Sequence, residues 1–186
     1  MSVLTVSTFI ALLALLAAAV TVIALVLRAT AATSPAIGGA YGSLRALVGP
    51  AALWLAWLVA AAAMAGSLYF SEVAGFIPCA LCWYQRIAMY PMAVLLLVAA
   101  WRGDRAIRPY GATLALIGAA ISAYHVLVQR LPGLPSGSCS VEAPCTAIYV
   151  ERFGFVTIPV MALIGFLTIA TVLLFLTPPA GSEPAR

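Results

Sequence analysis

Apolar residues run along this chain in five long blocks, not in the short alternations of a half-solvated fold. The blocks cover residues 3–27, 51–70, 83–101, 110–127 and 155–176, and within them Arg86 is the single charged side chain. Each block approaches or exceeds the roughly 20 residues with which a helix crosses a hydrocarbon core. Polar and turn-forming residues collect between the blocks. Residues 28–50 read as a loop rich in Ala, Gly and Thr, and 71–78 as a short connection. Residues 102–109 form a tight polar turn, 128–154 a longer loop, and a polar tail ends at Arg186. The pattern predicts an all-α membrane protein: a four-helix transmembrane bundle core with one additional N-terminal transmembrane helix. The expected units are residues 1–50 (N-terminal transmembrane helix and cytoplasmic loop), 51–176 (the core) and 177–186 (a cytoplasmic tail).

Composition agrees. Hydrophobic residues make up 65% of the chain and charged residues 8%, with mean hydropathy +1.15. A soluble domain carries about a quarter charged residues, so this chain has too few to solvate its surface in water. The formal net charge of +4 is therefore no nucleic-acid footprint, and no nucleic-acid partner is expected. The first block has no basic residue before it and is longer than the apolar core of a signal peptide. It reads as a retained helix.

Charge placement gives an orientation. Short cytoplasmic loops favour Arg and Lys, and the densest cluster here is Arg102, Arg105 and Arg108. With that turn in the cytoplasm, Arg28, Arg45 and Arg186 join it. Arg130, Arg152, Glu72, Glu142 and Glu151 fall on the opposite side. Five spans with the N-terminus outside satisfy this count. It implies a multi-pass membrane protein, with the lipid bilayer as its first partner.

All four cysteines then lie extracytoplasmically, where disulfides persist. They form two local pairs, Cys79 with Cys82 and Cys139 with Cys145. A two-residue gap suits redox chemistry because it closes a disulfide at a helix N-terminus, where partial positive charge favours the attacking thiolate. The third helix is expected to begin near Cys82. Two fixed structural disulfides, in a scaffold or small transporter, fit the same compartment. A four-cysteine zinc site fits the first spacing, although an outward membrane face suits it poorly; no metal is expected.

Arg86 bears on that choice. It follows Cys82 by four positions, one turn along the same helix face. A charge entering an apolar span is costly unless it serves something or reaches the headgroups. Either Arg86 snorkels, or its donors bind a polar oxygen such as a quinone carbonyl and favour the Cys82 thiolate. Trp83, Tyr84 and Gln85 form an interfacial belt or line the same site. His125, the one histidine, lies near the outer end of the fourth block; an interfacial histidine of this kind is commonly without chemical role.

The run Phe76-Ile77-Pro78-Cys79-Ala80-Leu81-Cys82-Trp83-Tyr84-Gln85-Arg86 resembles the signature of the DsbB/BdbC disulfide bond formation proteins. The likeness continues through Tyr124-His125, Gln129, Pro132, the second cysteine pair, Phe153-Gly154-Phe155 and Ile158-Pro159. The five-residue gap of the second pair resembles the short-loop BdbC-like branch. It also sets the chain apart from the vitamin K epoxide reductase fold, which uses two cysteine pairs and a quinone too. The resemblance implies a quinone-dependent thiol oxidoreductase with Cys79, Cys82, Cys139 and Cys145 catalytic, and residues 51–176 as its redox core. A DsbA/BdbD-like thioredoxin-fold partner would attack the Cys139–Cys145 disulfide at Cys139. Cys145 would pass the electrons to Cys79, and Cys82 would face the quinone, menaquinone or ubiquinone. Arg86 and, by resemblance, His125 would stand beside that quinone. Pro144 restricts the swing of Cys145 that this order requires.

Overall fold

The computed structural model describes residues 2–131, 133–134 and 139–178. Six helices dominate: α1 (Val3–Thr30), α2 (Pro35–Val48), α3 (Ala52–Leu68), α4 (Ala80–Arg102), α5 (Ile107–Arg130) and α6 (Ile158–Thr171). Five helical stretches are long and apolar enough to cross a membrane, the second of them running from α2 through α3. The all-α membrane architecture read from the apolar blocks is the one observed.

Small residues let these helices approach. One face of α5 carries Gly111, Ala112, Ala115, Gly118, Ala119 and Ser122, all buried and spaced three or four apart. Against it lies α6, whose Phe166, Ile169 and Leu173 are fully buried. A Cβ at Gly118 would overlap the Phe166 ring, so the glycine makes the room the ring occupies. In hydrocarbon, where no hydrophobic force drives helices together, such close packing holds a bundle. Outward faces carry exposed leucine, valine and isoleucine, as lipid contact requires; Leu16, Val94 and Leu58 are examples.

Residues 28–50, expected as a loop, contain α2. Ser34 precedes it in extended conformation and Pro35 occupies its first turn, where the missing N–H of proline is no loss. At the end of the bundle away from the cysteines, α2 covers the end of α6: the Tyr41 hydroxyl donates to the Phe175 carbonyl at 2.8 Å. Residues 172–176 continue α6 as a wide turn, with Thr177 N–H donating to the Val172 carbonyl. Arg108 donates to the carbonyls of Leu173 and Leu174 at 2.9 and 3.0 Å, satisfying acceptors that a helix end leaves open. A second wide turn, residues 69–73, closes α3.

The fourth and third helices begin earlier than their apolar blocks, at Ile107 and Ala80. Before α6 the chain forms a hairpin of β1 (Glu151–Arg152) and β2 (Val156–Thr157), with Arg152 opposite Val156. Three residues, 153–155, connect the paired Arg152 and Val156. Phe153 and Gly154 both have positive φ, 55° and 77°, at the centre of a tight turn closed by the Phe155 N–H to the Arg152 carbonyl at 3.2 Å. Among the described residues, side-chain bonds anchor the hairpin at both strands and its turn: Arg130 to Glu151 at 2.7 Å and to the Phe155 carbonyl at 3.4 Å, Thr157 Oγ1 to Gln129 Oε1 at 2.9 Å, and Arg152 Nε to Ser7 Oγ at 2.9 Å. Pro132 and residues 179–186 of the expected tail lie outside the described residues.

Candidate functional site

Both cysteine pairs sit at one end of the bundle, because α4 starts there and the α5–α6 connection returns there. Cys79 caps the N-terminus of α4. Its backbone is extended, and its sulfur accepts from the Cys82 N–H at 3.3 Å. The cap is thus three residues earlier than the helix start expected at Cys82, which lies inside the first turn. Pro78 just before the cap holds the chain extended into it. Cys79 and Cys82 are free thiols with their Sγ atoms 2.9 Å apart. Cys139 and Cys145 are bonded to each other, with Cα atoms 5.7 Å apart.

Burial separates the members of each pair. Cys145 is buried and Cys139 half-buried; Cys79 is buried and Cys82 half-buried. Cys79 and Cys145 share one apolar cluster with Leu81, Val128 and Ala143.

His125 bridges them. It is 2% exposed; its Nε2 lies 3.1 Å from the Cys145 carbonyl oxygen and 3.7 Å from Cys79 Sγ. Its Nδ1 faces the amide nitrogen of Gln85 at 3.2 Å. That amide can only donate, so Nδ1 accepts and the ring proton sits on Nε2. The ring therefore presents an N–H, not a lone pair, to the sulfurs. Although Cys79, Cys82 and His125 place three potential ligand atoms within 4.8 Å, this tautomer makes the histidine a donor there. The Cys79 thiol, just outside the α4 span, is held well below the ordinary thiol range. The hydrogen bond from Cys82 lowers it most; burial opposes, and the His125 hydrogen bond lowers it further.

Arg86 turns away from the sulfurs to α3. Its Nε donates to Ser67 Oγ and its Nη2 to the Ser67 carbonyl, both at 3.1 Å; Tyr90 OH donates to the same Ser67 Oγ at 3.1 Å. The guanidinium lies over Trp83 and Tyr90, 5.1 and 5.9 Å from the ring centroids. Two of its five N–H donors are thus occupied, and the other three have no hydrogen-bond partner among the described residues. Arg86 lines a cavity of about 220 Å³ together with Cys82 and Gln85; Ser67, Ser71, Tyr90 and Tyr149 add hydroxyls, and the rest of the wall is apolar. His125 and Cys79 are not in that wall. They line a separate gap of about 30 Å³ facing Pro144 and Ala147. His125 stands between Cys79 and the Cys145 carbonyl, one hydrogen bond from Gln85, which lines the larger cavity.

Ser67 and Tyr90 escaped the sequence reading. A serine in an apolar helix ordinarily bonds its own preceding turn, so nothing in the local pattern marks it. Gln85 carried a usable signal, a primary amide inside an apolar span.

The fold and the site define a multi-pass membrane protein of the thiol–disulfide exchange class. Residues 50–176 match the family described as "Disulfide bond formation protein DsbB". The chain belongs to that family, and its role is disulfide-generating, as a protein-disulfide oxidoreductase. Disulfide bond formation protein C of Bacillus subtilis (strain 168) is 50% identical over 119 residues, 63% of this chain and 86% of that protein. A probable disulfide formation protein C 1 of Bacillus anthracis is 49% identical over 120 residues, 64% and 86% of the two chains. A probable disulfide formation protein of Oceanobacillus iheyensis is 46% identical over 119 residues, 63% and 82%. Among solved structures there is no significant match.

Proposed function

We propose that this protein reoxidises an extracytoplasmic thioredoxin-fold partner of the DsbA/BdbD type and delivers the electrons to a membrane quinone, menaquinone or ubiquinone. The carrying observation is the placement of the first pair: Cys79 lies across His125 from the Cys145 carbonyl and lines only the small gap, while Cys82 lines both that gap and the larger cavity that holds Arg86. In this reading both pairs lie on the extracytoplasmic side of a bacterial cytoplasmic membrane, which the Arg-rich opposite end supports.

The partner's thiolate attacks Sγ of Cys139, the more accessible sulfur, and Cys145 leaves as a thiolate. The partner's second thiolate then displaces Cys139, which completes the partner's disulfide and leaves Cys139 and Cys145 as a dithiol. Cys145 attacks Cys79 Sγ, and Cys82 leaves. Cys139 then displaces Cys79 from Cys145, restoring the Cys139–Cys145 disulfide and leaving Cys79 and Cys82 as the dithiol. Each exchange moves two electrons and breaks one S–S bond for each one formed. A bound quinone supplies the sink, accepting two electrons and two protons as the Cys79–Cys82 disulfide re-forms. The residues fit such a molecule: the cavity is apolar, and the three open donors of Arg86 suit a carbonyl oxygen. The Nε2–H of His125 steadies the Cys79 thiolate while it waits.

The test combines trapping and turnover. A reduced partner lacking its second cysteine should accumulate as a mixed disulfide on Cys139, with Cys145 leaving as the thiolate, and wild type with added quinone should oxidise the intact partner catalytically. Disulfides that stay protected from thiol-trapping reagent when reduced partner is added, with no quinone-dependent turnover, would falsify the reading in favour of two structural staples.

A further inference from the structure

The family match begins at residue 50, so α1 stands outside it, yet α1 forms part of the cavity wall. Ile10, Leu13, Ala14 and Ala17 line it, at the i, i+3, i+4, i+7 spacing of one helix stripe. The helix around them is rich in Leu and Val, and its opposite face is turned outward, with Leu12 and Leu16 exposed. The two alanines on the inner stripe, Ala14 and Ala17, present only methyl groups to the cavity.

Specific contacts hold α1 there. Thr21 Oγ1 and Thr168 Oγ1 form a buried hydrogen bond at 2.9 Å, joining α1 to α6. Arg152 Nε donates to the fully buried Ser7 Oγ at 2.9 Å, joining α1 to the hairpin. At Gly66 of α3 a Cβ would meet Ile10 Cδ1 at 3.2 Å, so the tip of the Ile10 side chain reaches across to the glycine. Buried polar pairs between helices fix position in hydrocarbon, and here they seat α1 against α6 and the hairpin, so that its inner stripe faces the cavity that α3, α4 and α6 also line. Away from the polar end at Ser67 and Arg86, the lining continues along α3 to Val59 and along α1 to Ala17. Seven residues of helix rise, from Gly66 to Val59 and equally from Ile10 to Ala17, span about 10 Å. A planar head group at Arg86 does not need that depth; a linear apolar chain attached to it does.

We infer that α1 is part of the acceptor site and receives the polyisoprenoid tail of the quinone along the Ile10–Ala17 stripe. The inference rests on the quinone reading above. Arg86 and Cys82 meet the head, and Ala14 and Ala17 set the width available to the tail.

Two measurements test this on the full chain in lipid nanodiscs. A benzoquinone bearing a photoreactive group within a long isoprenoid tail should label wild-type peptides containing residues 10–17. Separately, Ala14→Leu and Ala17→Leu should weaken binding of the long-tailed quinone about tenfold, read by quenching of tryptophan fluorescence. They should change binding of the same head group without a tail by less than twofold, which also reports that each variant is folded. Leu16→Ala, on the outward face, should change neither. Labelling confined to α3, α4 and α6 overturns the inference. So does an equal loss of tailed and tail-less binding, which would make α1 a structural brace. Wild type that binds neither quinone overturns the quinone reading itself, and this inference with it.

Discussion

Replacing Gln85 with leucine should disarm Cys79 without touching a sulfur. Gln85 is 7% exposed and its amide is the hydrogen-bond partner of His125 Nδ1. Leucine fills much of the same volume but donates nothing. Nδ1 then becomes a buried acceptor without a partner, which costs about 1–3 kcal/mol. The ring is released from the tautomer and orientation that aim Nε2–H at Cys79 Sγ and the Cys145 carbonyl. A hydrogen bond to a charged group contributes about 1.5–3 kcal/mol. At 3.7 Å the contact to sulfur belongs at the lower end, and about 1.4 kcal/mol is a factor of ten in thiolate population. The sign follows from the depressed thiol of Cys79. Its thiolate stabilises the reduced fold fully above the ordinary thiol range, and this is lost as pH falls through the folded value. Peptide-resolved alkylation of the reduced protein by iodoacetamide, from pH 4 to 9, measures it. In wild type Cys79 should react well below the pH of about 8.5 where a free cysteine titrates. In Gln85→Leu the profile should move up, with alkylation at pH 5 about tenfold slower, and His125→Phe should match it. A shift in His125→Phe with none in Gln85→Leu would refute the tautomer argument; no shift in either would remove His125 from the control of Cys79.

Other expectations follow from the same contacts. Arg86→Ala should weaken quinone binding by about 10- to 100-fold, the loss of one hydrogen bond from a charged donor, while both cysteine pairs still form. Ser67→Ala removes one acceptor of Arg86 but leaves the Ser67 carbonyl, so titration of the same quinone should register less than a tenfold change. Gly118→Ala drives a methyl into the fully buried Phe166 ring and should cost about 1–3 kcal/mol, seen as a lower Tm in detergent. Glu151→Gln breaks an exposed ion pair and should cost less than about 1 kcal/mol by the same melt.

The helices were legible because a membrane imposes one simple demand, a long apolar run, and the sequence meets it five times. The stretch around α2 was not, since its Ala and Gly content reads as a loop until Pro35 is recognised as a first-turn residue and Tyr41 finds Phe175 across the fold. The cysteine pairs were legible from spacing alone. The helix start expected near Cys82 lies two residues earlier, at Ala80, because both cysteines follow Pro78 closely, and only the backbone reveals that the Cys79 sulfur accepts the cap bond. Arg86 was marked by the cost of its charge, but its grip on Ser67 joins residues 19 apart on different helices, a separation that no periodicity encodes. His125 is the sharpest case. Its place between the two pairs depends on how α4, α5 and the loop before the hairpin meet, which is tertiary information.

The anchored hairpin sets unequal leashes on the two sulfurs of the outer pair. Gln129 holds the carbonyl of Ala147 at 3.0 Å, two residues past Cys145, so that sulfur's backbone can stray only about 7 Å from a fixed point. Cys139 is six residues further out along the chain, a radius of about 20 Å once the disulfide opens. In the exchange proposed above, a partner held at Cys139 can therefore stand clear of the helices while Cys145 stays beside Cys79. The short second gap, which restricts the swing of Cys145, is compatible with exchange because the travelling is done by the other cysteine.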